Sequence, residues 1–390
     1  MAIASGSRIQ LAFILETVIN TTPASPTMKL LRATTRNINL TKNILESAEV
    51  RADRQRADVR HGLNKVEGTA GFELGIRSFD DILQCAMSSA WTAITISAVT
   101  TLTMGTPGTL TRASGSWVAD GLRVGDVIKT TGFTNGVNNS NFTITAVTAT
   151  VLTIDPGAST LIVEAASATP VVTYPGKRLD IGKTLYTLAM ERQFIDISQY
   201  QLFNGVAVNS LKLSIKPEAI VMGEVGFLGM SAAPFSGTTA STGGVPSVPA
   251  TNSPFSSFDG SIYEAATPYG LITGLEVTLA NGRALAGVVG SKFSPTVFEG
   301  MAKVNGTVMS FFQNAVLFNK FVNETESSIA TRLNDLNGTD FIQLVLPRVK
   351  YTGATIDPPP EAGIVENLPF EGLVDSVSGT SMWLQRSNAV

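Results

Sequence analysis

The sequence has few of the residues on which catalytic and metal centres depend. Its 390 residues include one cysteine, Cys85, and one histidine, His61. A single cysteine excludes an intramolecular disulfide, and one cysteine with one histidine cannot supply the ligands of a structural zinc site. The chain also lacks a Gly-x-Ser-x-Gly elbow, a phosphate-binding loop and a dinucleotide-binding glycine motif. We therefore predict that the protein is not an enzyme and that it has no catalytic, cofactor-binding or metal-binding residues.

Charged residues are scarce as well. They make up 15% of the chain, against about 25% in soluble globular proteins. The net charge of −3 excludes bulk electrostatic attraction to nucleic acid or to acidic lipid. Because apolar residues are plentiful, we expect much of the surface to be buried against other copies of the chain.

Long apolar runs are also missing. No run approaches the roughly 20 residues of a membrane helix. The short run Ile9–Leu15 lacks the close small-x-small cleavage site that a signal peptide requires. We expect no membrane partner and synthesis in the cytoplasm.

What the sequence does contain is mainly strand signals. Residues 211–216 (LKLSIK) alternate apolar and polar side chains, which predicts a strand with one buried face and one exposed lysine face. Residues 275–279 alternate too, while 171–174 and 341–346 are dense enough for strands covered on both faces. Only residues 79–89 and 315–322 favour helices. The pattern predicts a mostly β protein with short flanking helices.

Two stretches indicate boundaries along the chain. Residues 92–176 contain few Lys or Arg and have short strand signals punctuated by Gly and Asn, which predicts an inserted small β domain. The segment 231–257 is rich in Ser, Thr, Gly and Pro, a composition typical of linkers. We predict a discontinuous first module at 1–91 and 177–240, a linker at 241–257 and a second module at 258–390.

An internal repeat supports two modules. Three matches occur in the same order in both halves: 66–69 with 304–307, 182–188 with 338–344, and 220–229 with 364–372. With a one-residue gap, the first match continues through Phe72 with Phe311, Phe79 with Phe318 and Leu83 with Val322, and the second through Arg192 with Arg348. The inserted residues fall between the first and second matches.

The sharpest charged feature is the stretch 51–60, RADRQRADVR. A nucleic-acid contact is disfavoured because Asp53 and Asp58 offset its charge and no aromatic residue is present for base stacking. We predict that the arginines of this stretch lie at subunit or ring contacts: Arg51, Arg54, Arg56 and Arg60.

Taken together and in order, several segments resemble the major tail tube proteins of long-tailed, siphovirus-type bacteriophages. They are residues 16–17 with 22–26 (TPASP), 49–55 (EVRADRQ), 68–74 (GTAGFEL), 79–83 (FDDIL), 191–194 (ERQF), 199–200, 208–211 (VNSL), 346–351 (LPRVKY) and 368–373 (LPFEGL). The resemblance covers nearly the whole chain outside the insertion.

The resemblance implies tube-type β-sandwich or barrel modules with a short flanking helix, closing into stacked rings. Such rings form a virion tail tube that encloses the tape-measure protein and conducts double-stranded DNA during ejection. The other implied partners are tail-terminator and distal tail proteins, and assembly would take place in the host bacterial cytoplasm.

Simple subunits of this family carry one module, and six of them close a ring. Two modules per chain therefore predict a trimeric ring with pseudo-sixfold symmetry, with a hexamer as the alternative. A surface adhesin or receptor-binding β protein is the other functional class that the composition allows.

Overall fold

The computed structural model describes residues 3–106, 108–248, 252–336, 338–358 and 361–388. The prediction of a mostly β fold is confirmed, because strands dominate and the described residues contain two α-helices. The strands of the first part of the chain are β1 (Ile9–Leu15), β2 (Lys29–Leu30), β3 (Ala33–Glu46), β4 (Val59–Glu73), β5 (Leu102–Gly105), β6 (Thr109–Arg112), β7 (Val127–Thr131), β8 (Asn141–Val147), β9 (Val151–Asp155), β10 (Glu164–Ser167), β11 (Val171–Thr173) and β12 (Lys177–Asp180).

The remaining elements follow the insertion, except for α1, which precedes it. The strands are β13 (Leu188–Phe194), β14 (Gln199–Ile215), β15 (Met222–Gly229), β16 (Ser231–Ala232), β17 (Gly260–Glu264), β18 (Thr267–Pro268), β19 (Ile272–Ala280), β20 (Lys303–Phe311), β21 (Ser327–Asn334), β22 (Phe341–Tyr351), β23 (Thr355–Asp357), β24 (Val365–Gly372) and β25 (Trp383–Arg386). The helices are α1 (Asp80–Met87) and α2 (Val316–Val322).

Both helices form where the sequence favours them. Asp80 and Asp81 occupy the first turn of α1, where the helix dipole favours negative charge. The helix ends at Ser88, which takes the left-handed conformation with φ of 51° and donates its amide hydrogen to the Gln84 carbonyl. This C-terminal geometry turns the chain away into the insertion.

The main core is built by strand alternation. In β14, Leu211, Leu213 and Ile215 are buried, while Lys212 between them is exposed, as the period-2 pattern predicts. The described strands outside residues 102–173 are hydrogen-bonded into one connected network, and most of their buried apolar residues belong to one core. The run Ile9–Leu15 is the strand β1 of this network, paired with β2 and β13.

A separate sheet lies inside the predicted insertion. Its seven strands are arranged in the order β10, β5, β6, β9, β8, β7, β11. It has its own core, centred on the fully buried Trp117, whose indole N–H donates to the Thr150 carbonyl. The bounds 92–176 stay a prediction, since the sheet itself spans 102–173.

The connection between β15 and β17 is hydrogen-bonded to the rest of the chain along much of its described length. Thr239 and the Ala240 amide both donate to the buried carboxylate of Glu191. Farther on, Phe255 is buried and its amide hydrogen bonds to the Leu74 carbonyl. A segment that its composition predicts to be a free coil is therefore held by polar contacts together with the burial of Phe255. The linker bounds 241–257 stay a prediction.

Candidate assembly surfaces

Two groups of strands have the same pairing pattern. The first strand set consists of β1 to β4 and β13 to β15, and the second strand set consists of β17 to β24. Strand β4 pairs with β15 in the first set as β20 pairs with β24 in the second. The registers coincide, since the pairs Val66–Gly229 and Gly68–Phe227 have the counterparts Val304–Gly372 and Gly306–Phe370.

The irregularities coincide as well. The β3–β4 ladder has a bulge between Ala33 and Thr35, and the β19–β20 ladder has one at the corresponding place, between Ile272 and Gly274. The β13–β14 and β21–β22 ladders also carry matching bulges, between Leu188 and Met190 and between Ser327 and Ile329. Because bulges are specific features of a strand pair, their repetition ties the two sets together more closely than strand order alone.

The glycine shared by the two sets has a steric reason. A Cβ at Gly68 would overlap the facing carbonyl oxygen of Asn37, and a Cβ at Gly306 would overlap that of Glu276. These two carbonyls occupy equivalent positions on β3 and β19. The same close approach of two backbones therefore requires glycine in both sets, and this requirement is why the match of 66–69 with 304–307 is visible in the sequence.

One of the three sequence matches is wrong. The match of 182–188 with 338–344 pairs Arg192 with Arg348, but the register makes Thr331 the counterpart of Arg192. Strand β22 occupies the place of β14 rather than that of β13, since both β14 and β22 lie beside the last strand of their set. Both segments are dense apolar strands, and composition alone does not say which neighbour each one has.

The one-residue gap after the first match is also wrong. Phe72 lies opposite Ala33 and Gly223, and Ser310 lies opposite Ile272 and Glu366 at the equivalent position, so Phe72 corresponds to Ser310 without a gap.

The two sets meet inside the chain along a pair of strands. The second half of β14 pairs antiparallel with β19 of the second set, from Ser210 opposite Ala280 to Ile215 opposite Leu275. The alternating apolar residues of both strands contribute to the shared core. This strand pair is called the internal junction below.

The connection between β19 and β20 completes that junction by covering α1. Arg283 donates to the carbonyls of Val208 (2.7 Å) and Cys85 (3.2 Å) and to the Ser88 hydroxyl (2.7 Å). Asn281 donates to the Ala86 carbonyl at 2.9 Å. The last carbonyls of a helix have no partner within it and carry partial negative charge, so a buried guanidinium there is favourable. Burial lowers the pKa of Arg283, and the nearby Glu299 and Cys85 act in the opposite direction by raising it.

The edges of β3 and β23 and the outer face of α2 are the equivalents of the strands and the helix that form this junction, and they are less covered. Within the described residues, β3 pairs only with β4 and β23 only with β24. Only Leu317 is fully buried in α2, and Val316 and Val322 are 55% and 57% exposed. In α1, by contrast, five of the eight residues are buried. Open strand edges are templates for pairing with another chain.

The inserted sheet docks through buried polar contacts on β25, which pairs with β22 of the second strand set. Asp126 accepts hydrogen bonds from the indole of Trp383 on β25 (3.1 Å), from Tyr174 and from Arg178. The side chain of Gln385 pairs with both backbone groups of Val127, at 2.7 and 2.8 Å. Burial raises the pKa of Asp126 to about 6, against the opposing charge of Arg178.

The four predicted contact arginines lie at the exposed tip of the β3–β4 hairpin, residues 47–58, and at the adjoining start of β4. Arg51 pairs with Asp53, Arg56 with Glu46 and Arg60 with Asp58, at 2.9 to 3.2 Å. We call Arg51, Arg54, Arg56 and Arg60 the tip arginines. Apolar side chains flank them, and Ile44, Leu45 and Val50 are 60%, 59% and 97% exposed. The role of the tip arginines in subunit or ring contacts stays a prediction.

Two sequence features named above bear on chemistry, the single histidine and the possibility of a metal site. His61 is exposed on β4. Among the residues that the structure describes, no cluster of three or more His, Cys, Asp or Glu side chains could hold a metal ion. None of the described helices has the length and apolar character that crossing a membrane would require.

Comparison with known proteins agrees with an assembly role. A family model described as phage tail tube protein matches residues 6–372. The matched range runs from before β1 to the end of β24, so it spans both strand sets and the inserted sheet. No curated protein matches the chain.

Proposed function

The chain belongs to the phage tail tube protein family, and from that premise we propose that three copies close into each ring of the tube. The family is structural, and its members belong to the tail of the virion. We propose that this chain has no catalytic activity and that its work is assembly in the host cytoplasm.

The observation that supports a ring of three is the repeated register of the two strand sets. Two tube modules per chain, at 1–91 with 177–240 and at 258–390, account for the same ladders and the same bulges occurring twice. Six modules then close one ring from three chains, with true threefold and pseudo-sixfold symmetry. Cyclic closure places every module edge against another module.

The proposed ring surrounds a lumen that first holds the tape-measure protein and later passes double-stranded DNA. A conduit must not hold its cargo, and each phosphate contact from Lys or Arg strengthens binding to DNA. The net charge of −3 and the low charged fraction suit that requirement. Tail-terminator and distal tail proteins would contact the two ends of the stacked rings.

We propose that the inserted domain, 92–176, faces outward from the tube. Its two ends lie side by side, because the Thr92 and Arg178 backbones exchange hydrogen bonds of 2.8 Å in both directions. A domain that leaves and re-enters at one point interrupts the first module without separating its strands. The second strand set has the same ladders with no insertion after α2.

Counting chains per ring tests the proposed function. The purified protein should form rings or tubes in electron micrographs, and native mass spectrometry or the symmetry of a cryo-EM map should give three chains per ring. Six chains per ring would overturn the two-module arrangement in favour of the hexamer. Isolated monomers or fibres would instead favour an adhesin.

A further inference from the structure

The internal junction provides a template for the contact between chains. In it, β14 presents residues 210–215 to residues 275–280 of β19. The repeated register identifies the counterparts of both strands. Strand β23 is the counterpart of the second half of β14. Thr355 of β23 lies opposite Asn367, and Lys212 of β14 lies opposite Glu224, which is the residue equivalent to Asn367.

The counterpart of β19 is β3. Ile38 faces Gly68 in the first set as Val277 faces Gly306 in the second. Both counterparts, β3 and β23, have a single strand partner within the described residues, whereas β14 and β19 are each paired on two sides. The Ile38 carbonyl accepts a hydrogen bond from the Arg192 guanidinium at 2.9 Å, so in the single chain a side chain supplies a hydrogen-bond donor to the edge of β3.

We propose that neighbouring chains repeat this junction between them: β3 of one copy pairs antiparallel with the strand continued by β23 of the next. The proposal rests on the proposed function, since it describes the contact that closes the ring. The register follows from the template, in which Lys212 faces Thr278 and Leu213 faces Val277. Between chains, Thr355 therefore faces Asn39 and Ile356 faces Ile38.

The correspondence between the two strand sets also indicates which segment covers α2. Inside the chain, the connection from β19 to β20 covers α1, and its Arg283 reaches the final carbonyls of that helix. The equivalent connection in the first set is the β3–β4 hairpin tip, which carries the tip arginines. This tip, brought by a neighbouring copy, covers the open face of α2.

The face of α2 that needs a cover is defined by the contacts on its other side. Leu317 is buried, and Lys320 donates to both carboxylate oxygens of Glu264 at 2.6 and 2.7 Å. Val316 and Val322 remain exposed. The exposed apolar residues that flank the hairpin tip are of matching chemistry, and a second copy is the partner because the equivalent helix is covered by the equivalent connection of its own chain.

Engineered disulfides test the proposed register. Asn39 and Thr355 are both exposed in the single chain, and directly opposite residues of an antiparallel pair are about 4.5–5.5 Å apart, within the range of a disulfide. The double variant Asn39→Cys/Thr355→Cys should cross-link under oxidation into closed covalent circles on a non-reducing gel. Mixing the two single variants should give covalent dimers and nothing larger.

Two controls come from the same chain. Asn37→Cys/Thr355→Cys shifts the register by two residues, to about 7–8 Å, and should cross-link poorly. Lys212→Cys/Thr278→Cys reproduces the geometry at the internal junction and should form a disulfide within each chain. The native Cys85 is buried and does not compete.

The outcomes separate this proposal from the proposed function. Rings of wild-type protein without cross-linking at 39 and 355, while the internal control cross-links, would overturn the junction and leave the tube function intact. Absence of any ring or tube from the wild-type protein would overturn both.

A charge on α2 tests the second contact. Val322→Glu should leave the monomer folded but raise the protein concentration needed for half-assembly by about tenfold or more, since a buried unpaired carboxylate costs well over 1.4 kcal/mol. Val163→Glu is the matched control, because Val163 is 56% exposed but lies in the inserted domain. Equal assembly of both variants would contradict the placement of the hairpin tip on α2.

Discussion

Arg283→Ala is the perturbation that probes the internal junction most directly. The Arg283 side chain is 1% exposed, and its guanidinium donates to the Val208 carbonyl on β14 and, at the end of α1, to the Cys85 carbonyl and the Ser88 hydroxyl, at 2.7 to 3.2 Å. Truncation to alanine removes these donors and leaves the carbonyls of Val208 and Cys85 without them. It also removes the positive charge from the C-terminal end of α1.

The expected cost follows from burial. Hydrogen bonds from a charged donor contribute about 1.5–3 kcal/mol each, and they are not additive when they share one side chain. Leaving buried polar groups short of a partner costs about 1–3 kcal/mol. We expect Arg283→Ala to lower the free energy of unfolding by that amount, out of a total of about 5–15 kcal/mol. Arg283→Lys keeps the charge but not the planar fork, and we expect an intermediate loss.

Urea unfolding of the dilute, unassembled protein measures this loss. Arg60→Ala is the control, because Arg60 is exposed and pairs only with exposed Asp58, and such pairs contribute about 0–1 kcal/mol. The buried Cys85 thiol gives a second readout, since Arg283→Ala should increase its rate of labelling in native buffer. A loss below about 1 kcal/mol, with labelling unchanged, would refute the assignment of Arg283 as a structural link between the two sets.

Three further predictions concern the inserted domain and the hairpin tip. Because the pKa of Asp126 is raised from 3.8 to about 6 in the folded protein, the stability from this group is full below about pH 4 and is lost as the pH rises through about 6. The unfolding free energy of the wild-type protein should therefore fall by about 3 kcal/mol between about pH 4 and 7, and Asp126→Asn should abolish this fall. An unchanged pH slope in the variant would contradict this. Replacing residues 92–176 by a short Gly-Ser bridge should leave ring assembly intact, and a soluble deletion protein that forms no rings would argue against an outward-facing domain. Replacing all four tip arginines by Gln should weaken assembly and reduce its sensitivity to salt, because exposed ion pairs are screened; a cryo-EM map with these side chains on the lumen wall would oppose that role.

Local features of this fold could be predicted because they depend on neighbours close in sequence. The alternation of 211–216 predicts the buried and exposed faces of β14, and the acidic start at Asp80 and Asp81 accompanies α1. The seven-stranded sheet lies within the stretch that composition predicts to be an insertion. The match of 66–69 with 304–307 holds, and so does the end of the third match, Phe227 with Phe370 and Gly229 with Gly372. A steric requirement, as at Gly68 and Gly306, leaves a residue that sequence comparison can detect.

Features that depend on distant segments could not be predicted in the same way. The contact of Asp126 with Trp383 joins residues 257 positions apart, and neither residue type is unusual in its own segment. The serine-rich connection is ordered because Glu191 offers it a buried carboxylate. Nothing within residues 231–257 encodes that partner.

The sequence by itself determined the class of the fold, several of its strands, the two helical segments, and the family to which the chain is similar, because strand period, helix ends and glycine positions are set locally. Only the tertiary structure decided that β22 corresponds to β14, that Arg283 covers the end of α1, and that β3 and β23 each have a single strand partner in the part of the chain that the structure describes. Strand pairing is chosen by register and by the packing of faces, and these quantities exist only once segments far apart in the chain have met.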